Sequence, residues 1–357
     1  MTGSAVSIYA YRLPFSRPRA RGRHRTSRQG LLVRMTLDGI EGWGDAAPLS
    51  GYGTHTLESA LRELRWFLGR EAGTRISRDA LDDTFASPSV RFAIDTALHE
   101  IEAREHGFSS LCELSSGWRE RVPVAALVET GTGVGDIESA AVAIKLKVGV
   151  ASVEDDVARV RAIRARMGDA VKIRADANRA WDLETAQTFI EQCEELNLEY
   201  LEEPCRTLEA FAELALRSQT PLAVDETLHE VLETAAVGVD RRARLRQALG
   251  TMPDVSVWVV KPTYVGTWSS VCSIMEIARE EGKKVVLSSA YESGVGMRAL
   301  LTLAAASPFD EPAGFDTYQR LATDVLLPRP EIRPPMVGVR AATSLEPRVD
   351  VSLLRTL

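Results

Sequence analysis

The sequence predicts an α/β protein in which a parallel barrel is joined to a smaller α+β unit. Three observations predict it. Five short apolar runs each end in a charged residue, at Lys147, Asp176, Glu202, Asp225 and Lys261. Strands of a parallel barrel end in this way when their tips carry chemistry. From residue 122 onward, short β-rich runs alternate with longer helical segments, which is the rhythm of βα units. Before about residue 110 the order differs, with strands first and helices after. The 357 residues suit a barrel plus a smaller partner, and the 45% apolar share can fill a large core.

The elements follow in order. Residues 6–13 and 31–37 alternate like strands of a small antiparallel sheet. The stretch 16–30 between them, rich in Arg and Gly, reads as a loop. Gly42-Trp-Gly-Asp-Ala-Ala-Pro48 reads as a turn punctuated by glycine and proline. Residues 56–68 and 89–106 carry apolar side chains at helical spacing. In the second, Val90, Ala93, Ile94, Ala97, Leu98 and Ile101 define one face. Residues 122–128 look like a first barrel strand, and 131–135 like a loop. The five charged tips come next, and 284–288 supplies a further strand. The tail from about Gly314 is rich in proline and is expected to pack back on the N-terminal unit.

Composition excludes several classes. A net charge of -7 argues against a general nucleic-acid binder. No apolar run reaches the length of a membrane span. Arg12, Arg17, Arg19, Arg21, Arg23 and Arg25 interrupt any signal-peptide core. Cys112, Cys193, Cys205 and Cys272 form no CxxC pair, as expected of reduced thiols. The expectation is a cytoplasmic enzyme acting on a small molecule, with no nucleic-acid or membrane partner. Nothing in the sequence speaks to oligomeric state.

The tips carry the chemistry. Lys145 and Lys147 stand two apart in a strand, so they share a face. Their repulsion favours the neutral form of one, which makes a usable base. Two exposed lysines on an edge strand would look similar, but Ala143, Ile144, Leu146 and Val148 mark this strand as buried on its other face. Asp176, Glu202 and Asp225 could each alone be a helix cap or a solvated acid. Three in succession at barrel tips converge on one mouth and repel unless a cation holds them. Oxygen-only ligands favour Mg²⁺ over zinc, and His24, His55, His99, His106 and His229 are scattered. Lys261 closes a buried apolar strand across the mouth, where an unpartnered ammonium is costly. A divalent cation between lysines suits removal of a proton alpha to a carboxylate. The outcome is elimination, epimerisation or cycloisomerisation.

These residues resemble a known family. Lys145-Leu-Lys-Val-Gly149, Arg174-Ala-Asp-Ala-Asn-Arg-Ala-Trp181, Leu201-Glu-Glu-Pro-Cys205, Asp225-Glu-Thr-Leu228, Val259-Val-Lys-Pro-Thr263 and Ser288-Ser-Ala-Tyr-Glu-Ser293 are similar to the enolase superfamily, in its muconate-lactonizing subgroup. Within it the match is best to the o-succinylbenzoate synthase family and spans nearly the whole chain. Lysine bases beside Mg²⁺ are a general scheme of that superfamily. The resemblance implies a modified (β/α)7β TIM-like barrel over 111–313. It implies an α+β capping domain over 1–110, completed by 314–357. It implies dehydration of 2-succinyl-6-hydroxy-2,4-cyclohexadiene-1-carboxylate to 2-succinylbenzoate, a step of menaquinone synthesis.

By that carry-over, Lys147 takes the proton, Lys261 stabilises the intermediate and Lys145 tunes Lys147. Asp176, Glu202 and Asp225 hold Mg²⁺. Arg174, Asn178, Ser288, Ser289 and Gly314 are candidates for substrate contact, as is an arginine of the 16–30 stretch. The chain departs from the family at Asp45, where glutamate is common. It departs again in a long stretch before Lys261, with the basic segment Asp240-Arg-Arg-Ala-Arg-Leu-Arg246, which otherwise reads as a solvated helix. Two alternatives stay open. The same site could racemise N-acylamino acids, or the barrel could bind a carboxylate without catalysis.

Overall fold

The computed structural model describes residues 5–16, 26–70, 77–129, 133, 135, 137, 139–233 and 240–357. Most of the two loops expected at 16–30 and 131–135 lies outside the described residues, with Arg17, Arg19, Arg21, Arg23, Arg25 and His24.

Seven parallel strands form one sheet. In spatial order they are Ala126–Val128, Ala143–Lys147, Lys172–Asp176, Leu198–Glu202, Leu222–Val224, Val257–Val260 and Lys284–Leu287. Spatial order repeats chain order, as short βα crossovers dictate. One more extended segment closes the ring. Ala313 bridges in parallel to Val124, and Gly314 to Ser288. The Ala125 N–H donates to Ala313 O at 3.0 Å, and the Gly314 N–H to Leu287 O at 2.9 Å. The fold is therefore a barrel of seven strands and a short eighth.

The barrel strands are apolar on the face that the helices cover, and only partly so inside the ring, where Lys145 and Arg174 interrupt the apolar lining. Tyr200, Ala223, Val257, Val259 and Val286 form a cluster of their own inside the ring. Ile144, Leu146, Ile173, Ala175, Leu201, Val224 and Val260 alternate with the inner residues and join the larger core under the helices. That outer layer includes the helices Val153–Met167, Leu183–Gln192, Leu208–Ala215, Trp268–Glu280 and Gly294–Ala306. Their starts have their own caps. The Asp182 and Thr207 side chains accept from the backbone N–H groups of Thr185 and Ala210. Asp176 and Glu202 are thus spared a capping role.

The N-terminal unit is a four-stranded antiparallel sheet in the order Leu354–Thr356, Ala5–Pro14, Ser27–Leu37, Ile40–Ala46. The chain's last strand pairs with its first, Tyr9 opposite Thr356. The helices Leu57–Arg70 and Pro88–Glu105 cover this sheet. The face expected of the second helix, Val90 through Ile101, joins Ile8, Leu31 and Val33 in one core.

Three local expectations need correction. The second strand starts at Ser27, so the end of the supposed Arg/Gly loop is sheet. Gly42-Trp-Gly-Asp-Ala46 is strand too. Its glycines serve close approach to the helix Pro88–Glu105. A Cβ at Gly44 would lie 1.7 Å from Ala93 O, and one at Gly42 would lie 2.0 Å from Ala97 O. The run 122–128 divides. Arg121–Pro123 pairs antiparallel with Met336–Gly338, and only Ala126–Val128 enters the barrel.

Candidate active site

The pleat aims every second residue of a barrel strand at the ring's interior. Parallel register sets Lys147 beside Asp176 and Asp176 beside Glu202. One layer below, Lys145 stands beside Arg174 and Arg174 beside Tyr200. Lys145 Nζ donates to Glu202 Oε1 at 2.7 Å and lies 2.9 Å from Asp176 Oδ2. Lys147 Nζ donates to Asp176 Oδ2, and to Asn178 Oδ1 at 2.8 Å. Asn178 turns back to do this at φ 45°, a left-handed value that asparagine tolerates. Its Nδ2 donates to Glu226 Oε1 at 3.1 Å.

Lys261 stands four strand positions from Lys147 in the eight-segment ring, on the opposite wall. Its Nζ donates to both Asp225 oxygens and, at 2.9 Å, to the Tyr52 hydroxyl. Its backbone N–H donates to His229 Nε2 at 3.3 Å. Glu203, the acid after the Glu202 tip, serves the frame instead. It accepts from the N–H groups of Asp225 and Thr227 at 2.8 and 2.7 Å, and from Arg179 Nε at 3.0 Å.

These environments set the charges. Burial works against ionised Asp176, but Lys145 and then Lys147 outweigh it and hold the group at about 2. Burial also opposes charge on Asp225, and Lys261 overcomes it, leaving Asp225 well below the usual carboxylate range. Glu202 is pushed well above that range by burial and then by the charge of Asp176. Glu226 rises to about 7 through burial and then Asp225 and Asp176. His229 falls to about 3, chiefly by burial, and is neutral. For Lys145 burial favours the neutral amine, but Asp176 and Glu202 outweigh it and raise the group well above its ordinary value. The neutralising repulsion expected within the lysine pair is thus overridden at Lys145 by the two carboxylates it bridges.

The same geometry bears on metal binding. Among the described residues, no three His, Cys, Asp or Glu side chains stand in ligating positions around one point. Lys145 and Lys261 instead draw Asp176, Glu202 and Asp225 toward separate ammonium groups. The chemistry of the donors nevertheless fits a hard cation. All three are carboxylates, at most 2% exposed, and Glu202 lacks enough positive charge to ionise readily.

A cavity of about 670 Å³ opens over these groups. Asn178, Ser288, Ser289 and Gly314 all line it. Both serine hydroxyls donate to Gly314 O, at 3.3 and 3.0 Å. Arg174 also borders the cavity from the inner layer, 1% exposed. It donates to Glu199 Oε2 at 2.5 Å and to Pro312 O at 2.6 Å. Arg28 is the one arginine of the 16–30 stretch among the described residues. It is 4% exposed and donates to backbone carbonyls rather than facing the cavity. Reading the sequence missed Tyr52 and Glu226 as members of the site. Tyr52 had no signal, lying between the turn read at 42–48 and the helical run 56–68. Glu226 could have been found from its place beside Asp225.

Two family models match the chain: "Enolase C-terminal domain-like" over residues 134–343 and "MenC, N-terminal domain" over 4–101. The o-succinylbenzoate synthase of Thermobifida fusca is 32% identical over 362 residues, covering 99% of this chain and 89% of the relative. That of Haemophilus influenzae is 28% identical over 349 residues, covering 96% and 98%. Among solved structures, an N-succinyl Arg/Lys racemase from Bacillus cereus superposes with TM-score 0.82 at 20% identity over the full length of both chains. A dipeptide epimerase from Enterococcus faecalis, solved with Mg and the dipeptide L-Leu-L-Tyr, gives 0.78 at 22%, covering 97% of this chain and 99% of that one.

Proposed function

Because the chain belongs to the enolase superfamily and, within it, to the o-succinylbenzoate synthase family, we propose that it dehydrates 2-succinyl-6-hydroxy-2,4-cyclohexadiene-1-carboxylate to 2-succinylbenzoate. The observation that carries this reading is the placement of Lys147 and Lys261 on opposite walls of one cavity, with Asp176, Glu202 and Asp225 between them. Bound by those three carboxylates, Mg²⁺ would supply a Lewis acid for the charge that develops on the substrate carboxylate.

The chain's own groups do the rest. Lys147, oriented by Asn178 Oδ1, takes the proton from the carbon alpha to the carboxylate. It then returns that proton to the departing hydroxyl on the same face, so that one C–H and one C–O bond break and water leaves. Lys261 faces the other side and stabilises the intermediate as a cation. Lys145, bridged between Asp176 and Glu202, keeps a positive charge beneath Lys147 and tunes it. Ser288, Ser289 and Gly314 line the wall that would take the succinyl arm.

Racemisation of N-acylamino acids needs the same two lysines and is the second reading. Purified protein offered both substrates, with Mg²⁺ and with a chelator, separates the two. Chelator-sensitive loss of the cyclohexadiene absorbance supports dehydration. Racemisation without dehydration would replace it.

A further inference from the structure

Tyr52 lies in the segment between the strand Ile40–Ala46 and the helix Leu57–Arg70, outside the barrel, yet it reaches the barrel's catalytic lysine. The segment is built to send it there. Gly51 and Gly53 flank it at φ 83° and 71°, values that glycine holds at little cost. A Cβ at Gly53 would also meet Glu233 Oε1 at 2.5 Å. Before Tyr52, Arg28 donates to Ala47 O and to Pro48 O, and the Leu49 N–H donates to the Tyr264 hydroxyl at 2.6 Å. After it, the Thr54 N–H and hydroxyl both donate to Glu233, at 3.1 and 2.8 Å. The Tyr52 ring packs edge-on against Tyr264, centroids 4.6 Å apart.

At the end of this pinned segment Tyr52 meets Lys261 twice. Its hydroxyl oxygen accepts from Nζ at 2.9 Å, and its ring centroid lies 4.3 Å from the same nitrogen. The hydroxyl's own proton goes to Asp225 Oδ1. A lysine stem has four rotatable bonds, and ordering it is entropically costly. Asp225 holds Nζ from the barrel side, but it is also a proposed cation ligand, so that hold is shared. The hold from Tyr52 is not shared.

We propose that Tyr52 is a positioning residue for Lys261: ring and hydroxyl together fix the ammonium against the substrate face. This rests on Lys261 being catalytic, as proposed above. A rigid aromatic with two torsions suits the task, because a cation over a desolvated ring and a hydrogen bond to a charged group each contribute appreciably.

The test compares Tyr52→Phe, which keeps the ring, with Tyr52→Leu, which keeps neither contact, on whichever of the two substrates the wild type turns over. The expected losses are about tenfold in kcat for Phe and about a hundredfold for Leu, with KM little changed. Glu233→Ala leaves Tyr52 intact but frees its segment, and should also lower kcat. It carries the test with Tyr52→Phe if the Leu variant fails to fold. Unchanged kcat in all three, or losses confined to KM, would overturn the proposal. Lys261→Ala is the control. If it too is fully active, the catalytic reading fails first; if it alone is inactive, only the role of Tyr52 fails.

Discussion

The two walls of the cavity are built by different means. The Lys147 wall is made within the barrel: Lys145, Lys147, Asp176 and Glu202 lie on three adjacent strands, and Asn178 follows the second of them directly. The Lys261 wall is shared. Asp225 and His229 come from the barrel, while Tyr52 comes from the N-terminal unit. The first wall needs only strand pleat and register. The second also needs one unit to dock correctly on the other.

The largest expected effect tests whether both walls are chemical. A positioned general base is worth about 10²–10⁴ in rate. Lys147→Ala should therefore lower kcat by about a thousandfold, and Lys261→Ala should be comparably damaged. Lys147 is partly exposed, so thermal melting of its variant should stay near that of the wild type. Steady-state kinetics beside melting curves check both statements. Full activity in Lys261→Ala alone would reduce the shared wall to scaffolding.

That contrast also explains what the sequence could disclose. Period-two alternation makes Lys145 and Lys147 share a face, and chain order equals spatial order in a βα barrel, so converging tips were legible. The N-terminal strand 42–46 was misread because its glycines look like turn punctuation. Only the packed helix reveals that Ala93 O and Ala97 O leave no room for a Cβ. Tyr52 was invisible for a related reason: its partners Lys261 and Asp225 are far away in the sequence. Which lysine of the pair keeps its charge was not legible, because the carboxylate partners that hold Lys145 charged come from other strands.

The docking wall can be attacked at its foundation. Gly44→Ala places a methyl where Ala93 O stands, and neither strand nor helix can yield cheaply. Overpacking of this kind costs about 1–3 kcal/mol or more. The expected outcome is a clear drop in melting temperature, with the surviving folded fraction impaired in kcat. A melting temperature equal to wild type would show that the helix is not seated on this strand as described.

A pH dependence separates the units further. Asp45 is fully buried, and it accepts from the Ser293 N–H and hydroxyl at 2.8 Å each and from the Tyr11 hydroxyl at 3.0 Å. Burial nonetheless raises it to about 6. Its folded value lies above its unfolded one, so the fold binds this proton more tightly than the unfolded chain does. Its contribution to stability is full below about pH 4, declines as pH rises toward 6, and is level above that. The span is at most about 3 kcal/mol. Asp45→Asn should flatten that part of the stability profile, measured by denaturant unfolding across pH 4 to 7. An unchanged slope would assign the dependence to other groups.

The smallest effects come from two neighbouring arginines. Arg241 Nε reaches the side chain of Asp82, 5% exposed, at 2.7 Å, and so ties the barrel to the N-terminal unit. Arg242 pairs with Glu276 and Glu280 on the barrel's outer surface, where all three side chains are at least 37% exposed. Water already screens the second set, so its loss should cost about 0–1 kcal/mol. Losing Arg241 leaves a largely desolvated carboxylate with fewer donors, although Arg91, Thr267 and Ser270 remain around it. That change should cost about 1–3 kcal/mol. Arg241→Ala should therefore melt earlier than Arg242→Ala, and it alone should lower kcat, because only it slackens the docking on which Tyr52 depends. Equal kcat in the two variants would mean that the shared wall tolerates a looser junction than its contacts imply.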